Sequence, residues 1–264
     1  MSQSTDTGSP FKVDKKTEKL LAKLWSERHD GVSLSRFIEA TKPLVRNPGD
    51  SRDRWIQLAR AEYLLAEFHT EPGAERLRLY LSAANRAEAV LHLNPSYRDA
   101  VNRPRNSPED GLPAIEKPDL EAAFWFAENL YRWSVEAGPE RELKHRRTVN
   151  SFFNHIEKLD AAFNHGAVDR HFAIEFARSR DGDPEAWKRS RARFEALLQR
   201  HGDYFANRVA YARYYARPTG DEALARKLLD RTLKDSPSTL TDSVSEQILE
   251  QRRAKALSNP KKAP

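Results

Sequence analysis

The chain has 264 residues, 39% hydrophobic and 32% charged, with a formal net charge of +6. That length suffices for one large domain or two small ones around a core. Ten glycines are too few for a turn-rich β-sandwich or barrel, and the lack of cysteine excludes disulfides, thiolate metal sites and thiol nucleophiles. Leu, Ala, Glu, Arg and Lys dominate, the residues that lose least on entering a helix. No run reaches the roughly 18–20 apolar residues of a membrane span, and no charged-then-apolar signal segment opens the chain.

Residues 1–13 read as a disordered polar leader, beginning MSQSTDTGSP. Helix-spaced Leu20, Leu21, Leu24 and Trp25 then predict a first helix stopping at Asp30-Gly31. A second carries Leu34, Phe37, Ile38 and Leu44 up to the turn cluster Asn47-Pro48-Gly49-Asp50. Ser51 or Asp53 caps a third, running through Trp55, Leu58, Ala59 and Tyr63 to about His69. A fourth spans roughly 74–93 by the same spacing, closed by Asn94-Pro95.

Prolines 104, 108, 113 and 118 mark residues 101–118 as the one long irregular stretch, a functional loop or a hinge. It separates two predicted helical lobes, 14–100 and 119–258, with a basic tail at 259–264. In the second lobe Asp119 is expected to cap an aromatic helix ending at Gly138-Pro139. Later helices fall near 140–160, 164–179, 184–200, 203–216, 221–234 and 242–257, with no credible strand between them. Stops include His165-Gly166, Asp181-Gly182-Asp183-Pro184 and Ser236-Pro237. The fold class is therefore all-α, about eleven or twelve helices.

Helix–turn–helix, repeated, raises the question of a repeat. Trp55, Leu58 and Ala59 fit the first helix of a tetratricopeptide (TPR) unit; Ala83, Ala87 and Pro95 fit its second helix and exit. Phe194, Tyr211 and Ala212, then Ala225, Leu229 and Pro237, repeat the pattern in part. Together they predict a TPR-like superhelical stack of antiparallel helix pairs.

The sequence carries no recognisable reactive constellation. His165, Asp169 and His171 cannot share one helix face, and no His-Glu-x-x-His, phosphate-binding glycine loop or nucleophile elbow occurs. No catalytic residue, metal or cofactor is therefore assigned. Phe124, Trp125, Phe126, Tyr131 and Trp133 cannot all lie on one side of a helix, so they pack a core between lobes or line a binding groove. Asn129 would need a partner if buried. Trp125, Asn129, Trp133, Arg170, Tyr211, Tyr214 and Tyr215 are the groove candidates.

The helix Ala123-Phe-Trp-Phe-Ala-Glu-Asn-Leu-Tyr-Arg-Trp133 resembles the signature helix of the TRAP-transporter T-component family. So do the spacings to Leu159-Asp160, Gly166, Arg170 and Gly182-Asp183, the run Val209–Ala216 and the closing Glu250–Leu257. The likeness spans about residues 18–257 and departs at Val168, Asp169 and Ala173. It implies a non-catalytic TPR-like accessory protein that binds a periplasmic solute receptor and holds an apolar solute in its groove. A general TPR scaffold with no transporter link is the alternative. The resemblance places the chain in the periplasm, although no signal segment or lipidated cysteine is seen; the cytoplasm is the other reading. A homo-oligomer is compatible with all of this.

Five of the six surplus positive charges, Arg252, Arg253, Lys255, Lys261 and Lys262, lie after Glu250, so the body offers no basic stripe for nucleic acid. An electrophoretic shift assay should show at most weak, salt-sensitive retention of DNA or RNA. Submicromolar binding at physiological salt would overturn that expectation.

Overall fold

The protein is described from a computed structural model that covers residues 13–178 and 183–259. The leader before Val13, the stop at Asp181-Gly182 and the tail beyond Asn259 lie outside the described residues. Those residues form helices and turns without a strand, so the chain is all-α. Contacts divide it into Met1–Phe152 and Phe153–Pro264, with the boundary inside α7 (Pro139–Leu159).

The first unit holds α1 (Lys15–Ser26), α2 (Gly31–Thr41), α3 (Arg52–His69), α4 (Ala74–Leu91), α5 (Pro95–Val101) and α6 (Leu120–Glu136). Their starts are written in the sequence as side-chain acceptors for backbone N–H groups that a helix leaves unpaired. Asp14 accepts from Lys16 and Thr17, Asp30 from Ser33, and Ser51 from Arg54. Asp30 thus begins α2 as well as ending the turn after α1. Each such cap stabilises by roughly 0.5–2 kcal/mol.

Two expectations need correction here. Asn94-Pro95 closes α4 but also opens the unpredicted α5: Asn94 Oδ1 accepts from Ser96 and Tyr97, and Pro95 takes the first helical position. Asp119 precedes α6 without capping it. Its carboxylate instead accepts from Arg52 Nη2 at 2.8 Å and Asn94 Nδ2 at 3.2 Å.

Those contacts tie down the proline-rich segment, which contains 3-10 turns at Pro108–Ala114 and Lys117–Asp119. Arg52 also donates to the Pro118 carbonyl at 2.8 Å, Asn94 to that of Ala114 at 2.8 Å, and Thr148 to Glu109 at 2.8 Å. Gly111 is required at the closest approach, because a β-carbon there would run into the Tyr97 ring.

Within this unit α1 packs on α2, α2 on α3, α3 on α4, and α4 on α6, neighbour to neighbour as a TPR-like stack requires. Small residues set the spacing. Ala59 and Ala66 of α3, Ala83 and Ala87 of α4, and Ala123 and Ala127 of α6 are fully buried. Side chains this small let packed helix backbones approach closely, with the larger rings beside them.

The second unit contains α8 (Phe163–Ala177), α9 (Pro184–His201), α10 (Phe205–Ala210), α11 (Glu222–Lys234) and α12 (Val244–Ser258). α8 packs on α9, and α12 on both α10 and α11. Their core gathers Phe194, Leu197, Val209, Tyr211, Ala212, Ala225, Leu229 and Ala254, among others. α10 continues as a π turn over Tyr211–Ala216, a widening that periodicity does not reveal.

Replacing Ala87 by Leu should force these crossings apart. Overpacking of this kind costs roughly 1–3 kcal/mol, read as a lower urea midpoint with unchanged helical circular dichroism. An unaltered midpoint would mean that the alanines do not set the spacing.

Candidate functional site

In the first unit Trp125 lies on the side of α6 next to α3. Trp125 is buried beside Tyr63, ring centroids 5.3 Å apart, and Tyr63 in turn meets Tyr80 at 6.2 Å. The Arg60 guanidinium lies 5.5 Å from the Trp25 ring and 5.9 Å from that of Trp125, bridging α1 and α6 from α3. Such cation–π contacts contribute roughly 0.5–1 kcal/mol each when exposed and more when dry.

Two carboxylates stand against these rings. Glu128 Oε1 accepts from Arg132 Nε at 2.8 Å and from Tyr63 Oη at 3.4 Å. Glu67 accepts from Tyr80 Oη at 2.6 Å and lies 3.6 Å from Arg132. Arg132 therefore joins α6 to α3 through Glu67 while holding Glu128 of its own helix. Sequence reasoning missed Arg60, Glu67, Glu128 and Arg132; the i, i+4 spacing of Glu128 and Arg132 was the available signal.

The other two candidates of α6 differ from Trp125. Asn129 is fully buried and donates from Nδ2 to the Trp125 carbonyl at 2.7 Å, while its Oδ1 accepts from no described residue. Trp133 is half-buried against the cluster of Ala66, Leu79 and Tyr80, with His145 edge-on at 5.5 Å and Arg141 at 5.7 Å. His145 is held below its usual value by burial and by the charges of Lys144 and Arg141.

The second unit holds the remaining four. Tyr211 and Tyr215 are buried and Tyr214 half-buried. Tyr211 stacks on Phe194 at 4.7 Å and meets Tyr215 at 5.4 Å, and Trp187 meets Tyr215 at 5.7 Å. Burial pushes the Tyr211 hydroxyl up to about 12, helped by the nearby charge of Glu195, and that hydroxyl bonds to no described residue. Arg170 is half-buried, donating from Nη1 to Asn207 Oδ1 at 2.7 Å with its guanidinium 5.3 Å from the Tyr204 ring.

His165, Asp169 and His171 turn to three different partners. His165 stacks on Tyr204, Asp169 accepts from Arg193 and Arg200, and His171 stacks on Phe153. Among the described residues no group of three or more His, Asp or Glu is placed to hold a metal ion. None of the described helices is long and apolar enough to cross a membrane.

What remains is a set of helix faces with interaction chemistry, and the comparison with known families fits it. The sequence profile described as TRAP transporter T-component matches residues 61–263. The chain belongs to that family. The matched region takes in α6, the Arg170 corner and the Tyr211 turn of this T component together. T components are accessory to a transporter and are not a known enzyme family. No curated protein matches the chain in sequence.

The two tryptophans should separate in mutagenesis. Trp125→Ala empties a buried site and should cost roughly 3–5 kcal/mol, whereas half-buried Trp133→Ala should cost about 2, measured by urea unfolding. Equal losses would contradict the placement.

The shifted groups set the pH dependence. Tyr211 is raised above its unfolded value of 10.0, and burial raises Tyr80 and Tyr97 further. The folded state keeps these protons when the unfolded chain loses them, so stability should be intact below pH 10 and fall between pH 10 and about 12. His145 and His201 are both depressed below 6.5, chiefly by burial, so their contribution is present above pH 6.5 and lost as pH falls. Urea midpoints across the range check both limbs.

Proposed function

We propose that this T component works in the periplasm as the non-catalytic partner of a solute receptor, holding that receptor through the face shared by α1, α3 and α6. The observation that carries this reading is the family match over residues 61–263. The face itself supports it: half-buried Trp25, Arg60, Tyr63 and Arg132 lie over the enclosed Trp125 and Glu128. Arg, Trp and Tyr are the residues that anchor protein interfaces.

An apolar solute would find the carboxylates Glu67 and Glu128 unfavourable neighbours, since their desolvation is costly. The half-buried rings of Trp187 and Tyr214, packed against the second unit's core of Phe194, Tyr211 and Tyr215, are the better host for one. The TPR-like stacking of helix pairs would give both surfaces their concavity.

The test is biolayer interferometry between the full chain and the solute receptor encoded beside it. Micromolar or tighter binding is expected, corresponding to about 8 kcal/mol or more. Arg132→Ala, which releases Glu67 and Glu128 together, should weaken it about tenfold, or roughly 1.4 kcal/mol. A receptor that fails to bind, or binds the variant equally well, overturns the assignment of this face.

A further inference from the structure

The start of α8 departs from helical geometry. Asn164 (φ 47°, ψ 52°), His165 (57°, 42°) and Gly166 (73°, 36°) are left-handed in succession. For the two residues with a β-carbon, that conformation is strained and persists only where the surroundings enforce it. They do so here: Gly166 is so close to Leu197 and His201 that a β-carbon would collide with both.

The turn aims His165 at a polar corner. Its ring stacks on Tyr204 at 4.4 Å, and its Nε2 lies 3.2 Å from Ser243 Oγ and 3.8 Å from Asp242. Its carbonyl accepts from Asn207 Nδ2 at 3.1 Å, and the His201 carbonyl accepts from the same nitrogen at 2.9 Å. With both amide hydrogens so used, fully buried Asn207 turns its oxygen to Arg170 Nη1 at 2.7 Å. Asn207 is a bracket that fixes one corner of the guanidinium, and Tyr204 supports its plane.

This guanidinium is held by neutral groups alone. No carboxylate among the described residues lies within ion-pair distance of Arg170, and its Nε and Nη2 bond to none of those residues. The neighbouring acid, Asp169, is committed to Arg193 at 2.9 Å and Arg200 at 2.6 Å. The corner therefore presents one fixed, unneutralised positive fork beside an imidazole and a phenol ring.

We propose that Arg170, flanked by His165 and Tyr204, is a carboxylate-recognition site of the second unit. A planar guanidinium with one edge open matches the two oxygens of a carboxylate, and a single compensating charge suits a monoanionic group better than a phosphate dianion. The carboxylate could belong to a small organic acid or to an acidic side chain of a protein partner. The site stands on the geometry of the second unit and is independent of receptor docking through α1, α3 and α6.

The experiment tracks the arginine Nε–Hε signals of the 15N-labelled full chain during titration with sodium succinate, at ionic strength held constant with sodium chloride. Hexaglutamate peptide serves as the second probe. The Arg170 signal, assigned from its loss in Arg170→Lys, should shift saturably with a dissociation constant of about 1 mM. Arg170→Lys keeps the charge but loses the fork, and should weaken binding at least about tenfold, monitored by the remaining shifted signals. Arg170→Gln should abolish it; unfolding midpoints of both variants verify that they are folded. A response to succinate identifies small organic acids, and a response to hexaglutamate alone identifies a partner's side chains. No saturable shift with either probe, or undiminished binding by folded Arg170→Lys, would overturn the site.

Discussion

Close approach of helix backbones through buried alanine is the constraint on which the first unit depends. Ala59, Ala66, Ala83, Ala87, Ala123 and Ala127 are fully buried in α3, α4 and α6, which pack on one another. Alanine contributes little burial energy of its own, so cohesion must come from the larger residues flanking each crossing. Leu58, Leu64, Leu79, Tyr80, Phe124 and Phe126 supply it. Full burial of such a side chain is worth roughly 1.5–3 kcal/mol, an upper estimate given residual compactness in the unfolded chain. The same spacing brings α3 near enough to α6 for Tyr63 and Glu67 to meet Trp125, Glu128 and Arg132.

Helix positions were legible because their ends carry local chemistry. Ser51, Asp183 and Asp221 each accept a backbone hydrogen bond within their own first turn, so nothing distant is needed to recognise them. Asn94 is half-legible for the opposite reason: one Asn-Pro pair both ends α4 and begins α5, and a stop signal hides a start signal. Asp119 has the sequence context of a cap, yet its oxygens face Arg52 and Asn94, which are distant in sequence. Long-range partners outrank local propensity, and a single sequence does not name them. The aromatic helix shows the same limit. Periodicity showed that the aromatics of α6 cannot share one face but could not say that Trp125 is enclosed while Trp133 keeps an open side.

Charge obeys a similar logic. Some arginines pair with acids from another element, as half-buried Arg86 does with Glu62 and fully buried Arg208 with Asp235. Glu62 is fully buried, and it is bonded by Arg86 Nε at 3.0 Å and Ser82 Oγ at 2.9 Å. Such pairs add little net stability over apolar replacements, but removing one partner leaves a costly buried charge. They therefore select the pairing of α3 with α4 more than they strengthen it. A surplus of cations on paper says little about a surface when cations such as Arg86 and Arg208 are already answered by acids within the fold.

Of the two departures from regular helix in the second unit, the stop signal at His165-Gly166 pointed to one, and no pattern in the sequence announced the other. Periodicity assumes a constant turn, and it fails where the backbone leaves that turn. At Tyr211–Ala216 the helix widens, and Tyr211 and Tyr215 come within 5.4 Å in the same core. At Asn164–Gly166 it reverses hand, and His165 is carried onto Tyr204 instead of continuing along α8. His165-Gly166 gave a partial clue, since glycine is the residue that accepts a positive φ without strain. Two residues with β-carbons join it in that region, a cost the helix could have avoided with one more regular turn. What the regular turn would lose is the alignment of the His165 carbonyl with Asn207, and with it the bracket that orients Arg170. The strained turn is thus a condition for presenting that guanidinium, and its cost is met by the packing of Gly166 against Leu197 and His201.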